Sequence, residues 1–177
     1  MPIYGICSII TNSTMMIEPY ADLVYRTMIT ESNGNIKYST QSAMELIKEA
    51  CITYVHSTYQ GRRDAIQTSF NFKQNVPIPI NHKEYICAIP TKSPSSLDCI
   101  WLFYNHIYKV EFSINHKKAK IHFYNGTTVL VVISYHQMLQ QLWKAGHLLS
   151  QMNMQDSPKF KETKNTLYLL NNQLLPD

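Results

Sequence analysis

A cysteine thiolate beside a histidine makes a nucleophile. Clustered histidines and cysteines hold zinc. Neighbouring arginines grip phosphate. This sequence offers side chains for all three. Its histidines are His56, His82, His106, His116, His122, His136 and His147, and its cysteines are Cys7, Cys51, Cys87 and Cys99. No two cysteines stand at CxxC spacing, which argues against a zinc knuckle or a redox pair. A Cys–His catalytic pair would have to be assembled by the fold from distant segments. The HExxH, GxSxG, P-loop and GxGxxG patterns are absent. Carboxylates are scarce beyond residue 55, which weakens acid–base and hard-metal readings. His116, His122 and His136 read as strand and loop surface residues rather than zinc ligands. The sequence predicts no enzyme, no metal and no cofactor.

Phosphate chemistry has more support. The segment STYQGRRDAIQ, residues 57 to 67, combines Tyr59, Gly61, Arg62 and Arg63. Guanidinium groups bind phosphate in two-pronged fashion and enter narrow minor grooves at A·T-rich DNA, where the potential is most negative. The segment is expected to be a DNA-facing turn that follows a helix, with Arg62 and Arg63 as the main contacts. Lys73 comes shortly after. A second cluster of His116, Lys117, Lys118 and Lys120 sits at a turn before an alternating strand and could add phosphate contacts. The competing reading of each cluster is a solvated basic surface that keeps the protein soluble. Trp101 and Phe103 could stack on bases, but core packing is the simpler role for them.

These residues need elements to position them. MMIE and LVYRTMITES read as strands, and SNGN at 32–35 as a hairpin turn with IKYST as the returning strand. GICSII reads as a further strand. Ser39 and Thr40 are expected to cap a helix near 41–55, where Ala43, Met44, Ile47, Ala50 and Cys51 recur at helical spacing. VPIPI, with two prolines, is confined to an edge or an extended connector. EYICAI is a compact strand, TKSPSSLD a loop, and CIWLFYNHIYKVEFSI one long or bent strand. KAKIHFY and TTVLVVIS flank a second Asn-Gly turn at 125–126. Met138, Leu139, Leu142, Trp143, Gly146 and Leu149 then follow helical spacing over 135–152, with Ser134 as cap. NTLYLLNNQLL is a final short helix or a tail. The predicted fold is α+β with a mainly antiparallel sheet, in one domain over 1–155 followed by a tail over 156–177.

The bulk numbers fit. Hydrophobic residues at 45% and charged residues at 16% predict a packed globule rather than disorder. Residues 1–55 carry three basic and five acidic groups, whereas the remainder carries 13 basic and seven acidic. The later part is therefore the candidate for a polyanion partner. No apolar run is long enough to cross a bilayer, the N-terminal segment lacks a secretory pattern, and the cysteines read as reduced cytosolic thiols.

Taken in order, STYQGRR, VPIPI, the IPTKSPS segment with Cys99 and Trp101, HIYKVEF, FYNGTT and ISYHQMLQQLW resemble the competence transcription factor family, ComK. The match covers about Ala50 to Leu148. The resemblance implies a cytoplasmic activator of DNA-uptake genes. It would bind paired AT-rich boxes largely through the minor groove as a dimer or higher assembly, with RNA polymerase as a partner. Ser57, Tyr59, Gly61, Arg62 and Arg63 fall on the family's Ser–Tyr–x–Gly–Arg–basic segment, which implies a shared structural or DNA-contacting role. Two features depart from the family. QNVPIP has Val76 where a basic residue often stands. LYLLNN lacks the proline of the segment that docks an adaptor of a Clp-type protease, which argues against adaptor-controlled degradation here. The alternative function is a DNA-silent paralogue acting as a protein-interaction module.

Overall fold

Two Asn-Gly steps close two hairpins in the same way. Gly34 and Gly126 take φ of +88° and +87°, a region that glycine enters without steric cost. In each turn the glycine N–H donates to the carbonyl three residues back, Glu31 or Phe123, at 3.0 Å. The computed structural model describes residues 9–157. Its elements run β1 (Thr14–Pro19), β2 (Thr27–Glu31), β3 (Ile36–Ser39), α1 (Ala43–Val55), α2 (Tyr59–Phe70), β4 (Ile78–Asn81) and β5 (Ile86–Pro90). They continue with β6 (Trp101–Phe103), a 3₁₀ turn (Tyr104–His106), β7 (Ile107–Phe112), β8 (Ala119–Phe123), β9 (Thr128–Val131) and α3 (Tyr135–Asp156).

The strands form two antiparallel sheets, one ordered β3-β2-β1-β6-β5-β4 and one ordered β7-β8-β9. Side-chain alternation assigns each face of the larger sheet to a different partner. Ile17, Ile29, Ala88, Trp101 and Phe103 meet Leu46, Ile47 and Ala50 of α1 and Ile66 of α2. Met16, Ile89 and Leu102 meet Ala119, Ile121 and Val131 of the smaller sheet and Met138 and Ala145 of α3. The molecule is thus a three-layer α+β fold, with α1 and α2 on one side of the large sheet and the small sheet on the other. At the end of α3, Leu148 enters the first cluster and Leu149 the second.

Several local expectations change. The run from Cys99 to Ile114 is not one strand. It breaks at the 3₁₀ turn, where His106 Nε2 lies 2.6 Å from the Asn12 carbonyl and Asn105 donates to Asn12 Oδ1 at 3.0 Å. These contacts pin a corner that sends the chain from the large sheet to the small one. The strand expected from Leu23 begins instead at Thr27, because Asp22 Oδ1 accepts from the Val24 and Tyr25 amides and folds 22–25 into a turn. The α1 cap is Ser42, with a reciprocal Glu45 contact, rather than Ser39 or Thr40. Ser134 caps α3 as expected, and the helix runs on to Asp156. VPIPI does supply the edge strand β4, with Val76 and Ile78 buried. The strand expected over GICSII lies largely outside the described residues, and Ile9 and Ile10 are not in a strand. The segment NTLYLLNNQLL lies wholly outside them.

Candidate nucleic-acid interface

Residues 57–67 are not a turn. Thr58 caps a helix by accepting from the Gly61 amide at 3.0 Å, and α2 continues to Phe70. This geometry reverses the expectation for Arg62. Its Nε donates to Ser57 Oγ at 2.7 Å and one terminal nitrogen donates to the Cys51 carbonyl at 2.9 Å. The other terminal nitrogen donates to the Ile80 carbonyl at 3.1 Å and to the Pro79 carbonyl. Burial pulls its pKa below the ordinary guanidinium value, yet the group remains a cation. Arg62 therefore ties the end of α1 and the start of α2 to the edge strand β4, and it is withdrawn from the DNA-contacting set. Tyr59 is withdrawn as well: it is 8% exposed, and burial raises its hydroxyl pKa. Gly61 has a tight neighbour, since a Cβ there would lie 3.1 Å from the Thr58 hydroxyl.

Arg63 faces elsewhere. It lines an open groove of about 910 Å³ with Lys48, Arg26, Tyr20, Tyr25 and the 93–97 loop. Arg26 pairs with Glu45 at 3.4 Å, and Asp22 also lines the groove. From 41 to 70 the chain holds Lys48, Arg62 and Arg63 against Glu45, Glu49 and Asp64, so this region has no net charge. Lys73 is exposed in the connection from α2 to β4, where its carbonyl accepts from Gln67.

The second cluster is different. His116, Lys117 and Lys118 occupy the exposed turn between β7 and β8, and Lys120 lies on the outer face of β8. Asn115 organises that turn: its carbonyl accepts from the Lys118 amide at 2.8 Å and its side chain accepts from the Lys117 amide at 3.1 Å. Cross-strand register brings two side chains that sequence reasoning had not selected onto the same face: Lys109 lies opposite His122, and Glu111 opposite Lys120. Glu111 sits 2.5 Å from Lys109, 2.7 Å from His122 and 3.7 Å from Lys120. Hydrogen bonds from Lys109 and His122 lower its pKa to about 2. Residues 109–122 hold four lysines against this single carboxylate, a net +3 with histidines neutral.

The structure thus separates the two predicted clusters. α2 packs on one face of the large sheet, and the β7–β8 turn belongs to the layer on the opposite face. Arg63 and Lys118 do not form one surface. Among the described residues, which leave out Cys7, the fold does not assemble a Cys–His pair. Cys51, Cys87 and Cys99 are buried, and none is hydrogen-bonded to a histidine. Burial raises all three thiol pKa values, which disfavours thiolates. No group of three potential metal ligands occurs among those residues.

The β7–β8 hairpin thus gathers positive charge on one face of a layered antiparallel α+β scaffold, and such a face attracts polyanions. The chain belongs to the ComK family: the family model described as ComK protein matches residues 7–157. That family is one of competence transcription factors. No curated protein and no solved structure matches the chain.

Proposed function

We propose that the protein is a DNA-binding activator of competence genes. It docks on A·T-rich duplex through the β7–β8 hairpin and the outer face of the small sheet. The observation that carries this reading is the density of charge: four lysines and one carboxylate within residues 109–122, on an exposed ribbon. Such a ribbon can follow a groove while its lysines displace counterions from phosphates. His116, Lys117, Lys118 and Lys120 are its phosphate-facing groups, and Lys109 adds to the field although Glu111 shares it. Arg63 and Lys73 lie apart and would contribute only where DNA wraps beyond this face. Minor-groove reading of A·T-rich boxes needs few base-specific hydrogen bonds, so a cationic ribbon can supply it.

The site would act from the cytoplasm, as a dimer or higher assembly, with RNA polymerase as the partner in activation. Residues up to about 155 would form the DNA-binding unit, with 156–177 as a tail. Among the described residues no helix is long and apolar enough to cross a membrane.

The test is retention of labelled duplex with unlabelled competitors. A·T-rich competitor should displace the probe at concentrations at least about tenfold below those needed for G·C-rich competitor. Equal competition would overturn selectivity, and no retention at moderate salt would overturn DNA binding itself. A protein-interaction module is the second reading. The groove beside α2 favours it, because the exposed apolar or aromatic side chains of Tyr20, Tyr25 and Leu97 line it.

A further inference from the structure

Three large aliphatic side chains stand almost wholly in water at loop tips: Leu23 at 103%, Ile114 at 99% and Leu97 at 91% exposure. Their electrostatic surroundings differ. Leu23 follows Asp22, and Leu97 precedes Asp98, so each would carry a carboxylate towards any phosphate it approached. Ile114 is followed within four residues by His116, Lys117 and Lys118. Of the three, it alone can be brought against a polyanion by its own neighbours.

The tip is also built to hold its shape. Asn115 closes the turn by accepting two hydrogen bonds, one from the Lys117 amide on its side-chain oxygen and one from the Lys118 amide on its carbonyl. At the base, Phe112 packs edge-on against His116 at 5.0 Å and against Tyr135 of α3 at 6.0 Å between ring centroids. Ile114 is thus held beyond the end of β7 on a braced ribbon, and its β-branch restricts rotation about χ1.

We propose that Ile114 is a wedge. It enters the minor groove at the centre of the contacted site, inserts between two base pairs and kinks the duplex towards the major groove. Proteins that kink DNA from this groove use an apolar side chain beside cations, and the kink is roughly 20–90°. Pyrimidine–purine steps such as TA unstack most readily, so an A·T-rich site containing one offers the lowest resistance. The cations and the wedge divide the work: Lys117, Lys118 and Lys120 hold the backbone, and Ile114 deforms the stack. This inference rests on the DNA-binding reading above and assigns a specific role to one residue of that surface.

The experiment uses the full chain and an A·T-rich duplex of about 30 base pairs labelled at both ends, with 2-aminopurine replacing adenine at a central TA step. End-to-end energy transfer reports bending, and 2-aminopurine fluorescence reports unstacking. Both are read at saturating protein. The native chain should raise both signals. Ile114→Ala should bind within about tenfold of native affinity but lose at least half of each signal, while Ile114→Leu should keep them. Leu23→Ala should change neither, and its side chain matches Ile114 in exposure. Lys117→Ala/Lys118→Ala should need more protein to saturate and then bend the duplex as the native chain does. A native complex without bending, or Ile114→Ala bending like the native chain, would overturn the wedge. Failure of the native chain to bind any duplex would instead overturn the reading on which the wedge rests. Because Ile114 is fully exposed, folding of Ile114→Ala is expected to be unchanged, and circular dichroism checks this.

Discussion

Arg62 takes a positive charge into a site that holds no carboxylate among its hydrogen-bond partners. One serine hydroxyl and three backbone carbonyls, from Cys51, Pro79 and Ile80, surround the guanidinium instead. Carbonyls that have lost water need donors, and a planar fork can serve several at once. Removing it should leave those oxygens short of partners. Arg62→Ala is expected to lose about 2–4 kcal/mol of stability in urea denaturation, and Arg62→Lys most of that, because an ammonium cannot span the same fork. Arg63→Ala, with no ion-pair partner among the described residues, should stay within about 0.5 kcal/mol of the native chain. An Arg62→Ala protein of native stability that fails to bind DNA would restore the residue to the interface.

Glu111 makes a different residue-level statement. Its pKa in the folded chain is about 2, against an ordinary value of 4.5, because the hydrogen bonds from Lys109 and His122 favour the charged form. The sign follows from linkage: any stability gained is complete above about pH 4.5 and is lost as pH falls through the folded value near 2. Carboxyl chemical shifts followed by NMR should find Glu111 still ionised at about pH 3, where an unperturbed glutamate is protonated. A midpoint near 4.5 would show that the lysine and histidine contacts do not persist in solution.

At the scale of elements, the most instructive case is α2. The sequence reads as a polar turn because the helix buries only Tyr59 and Ile66, seven positions apart, which is too thin a stripe to announce a helical period. Its start is nevertheless written in Thr58, a good cap, three positions before Gly61. Thr58→Ala should lower stability by about 1 kcal/mol, seen as an earlier thermal transition with unchanged far-ultraviolet spectrum at low temperature. No shift would mean that packing alone holds the helix start. Other elements were easier to read. Both Asn-Gly hairpins, the capped helix at 135 and the proline-confined edge strand follow from local chemistry. The break after Phe103 does not, because Trp101, Leu102 and Phe103 are all buried between two layers and show no alternation. The bonds that turn the chain there come from Asn12, more than 90 residues away.

Across the whole molecule, what matters is which groups share a side. Sequence identifies the basic residues and places the second cluster in a turn. It cannot report that a six-stranded sheet stands between that turn and α2. Nor does it reveal that Lys109 and His122 join Lys120 on one face, since that depends on cross-strand register and on the irregularity between Ile107 and Lys109. Half of the predicted interface therefore becomes scaffold and groove, and the other half gains members. Modest net charge is compatible with DNA binding under these conditions, because +3 is gathered on residues 109–122 while residues 41–70 are neutral.

Docking of DNA on the small sheet is decided by the salt dependence of binding to an A·T-rich duplex, measured by fluorescence anisotropy for the native chain, Lys117→Ala/Lys118→Ala/Lys120→Ala and Arg63→Ala. Each lost phosphate contact should reduce the slope of log K against log salt by about 0.9. The triple variant is predicted to lose roughly 2–3 from the slope, and Arg63→Ala to leave it unchanged. A native slope in the triple variant, or a larger loss in Arg63→Ala, would place the DNA on the other side of the large sheet, away from the β7–β8 hairpin.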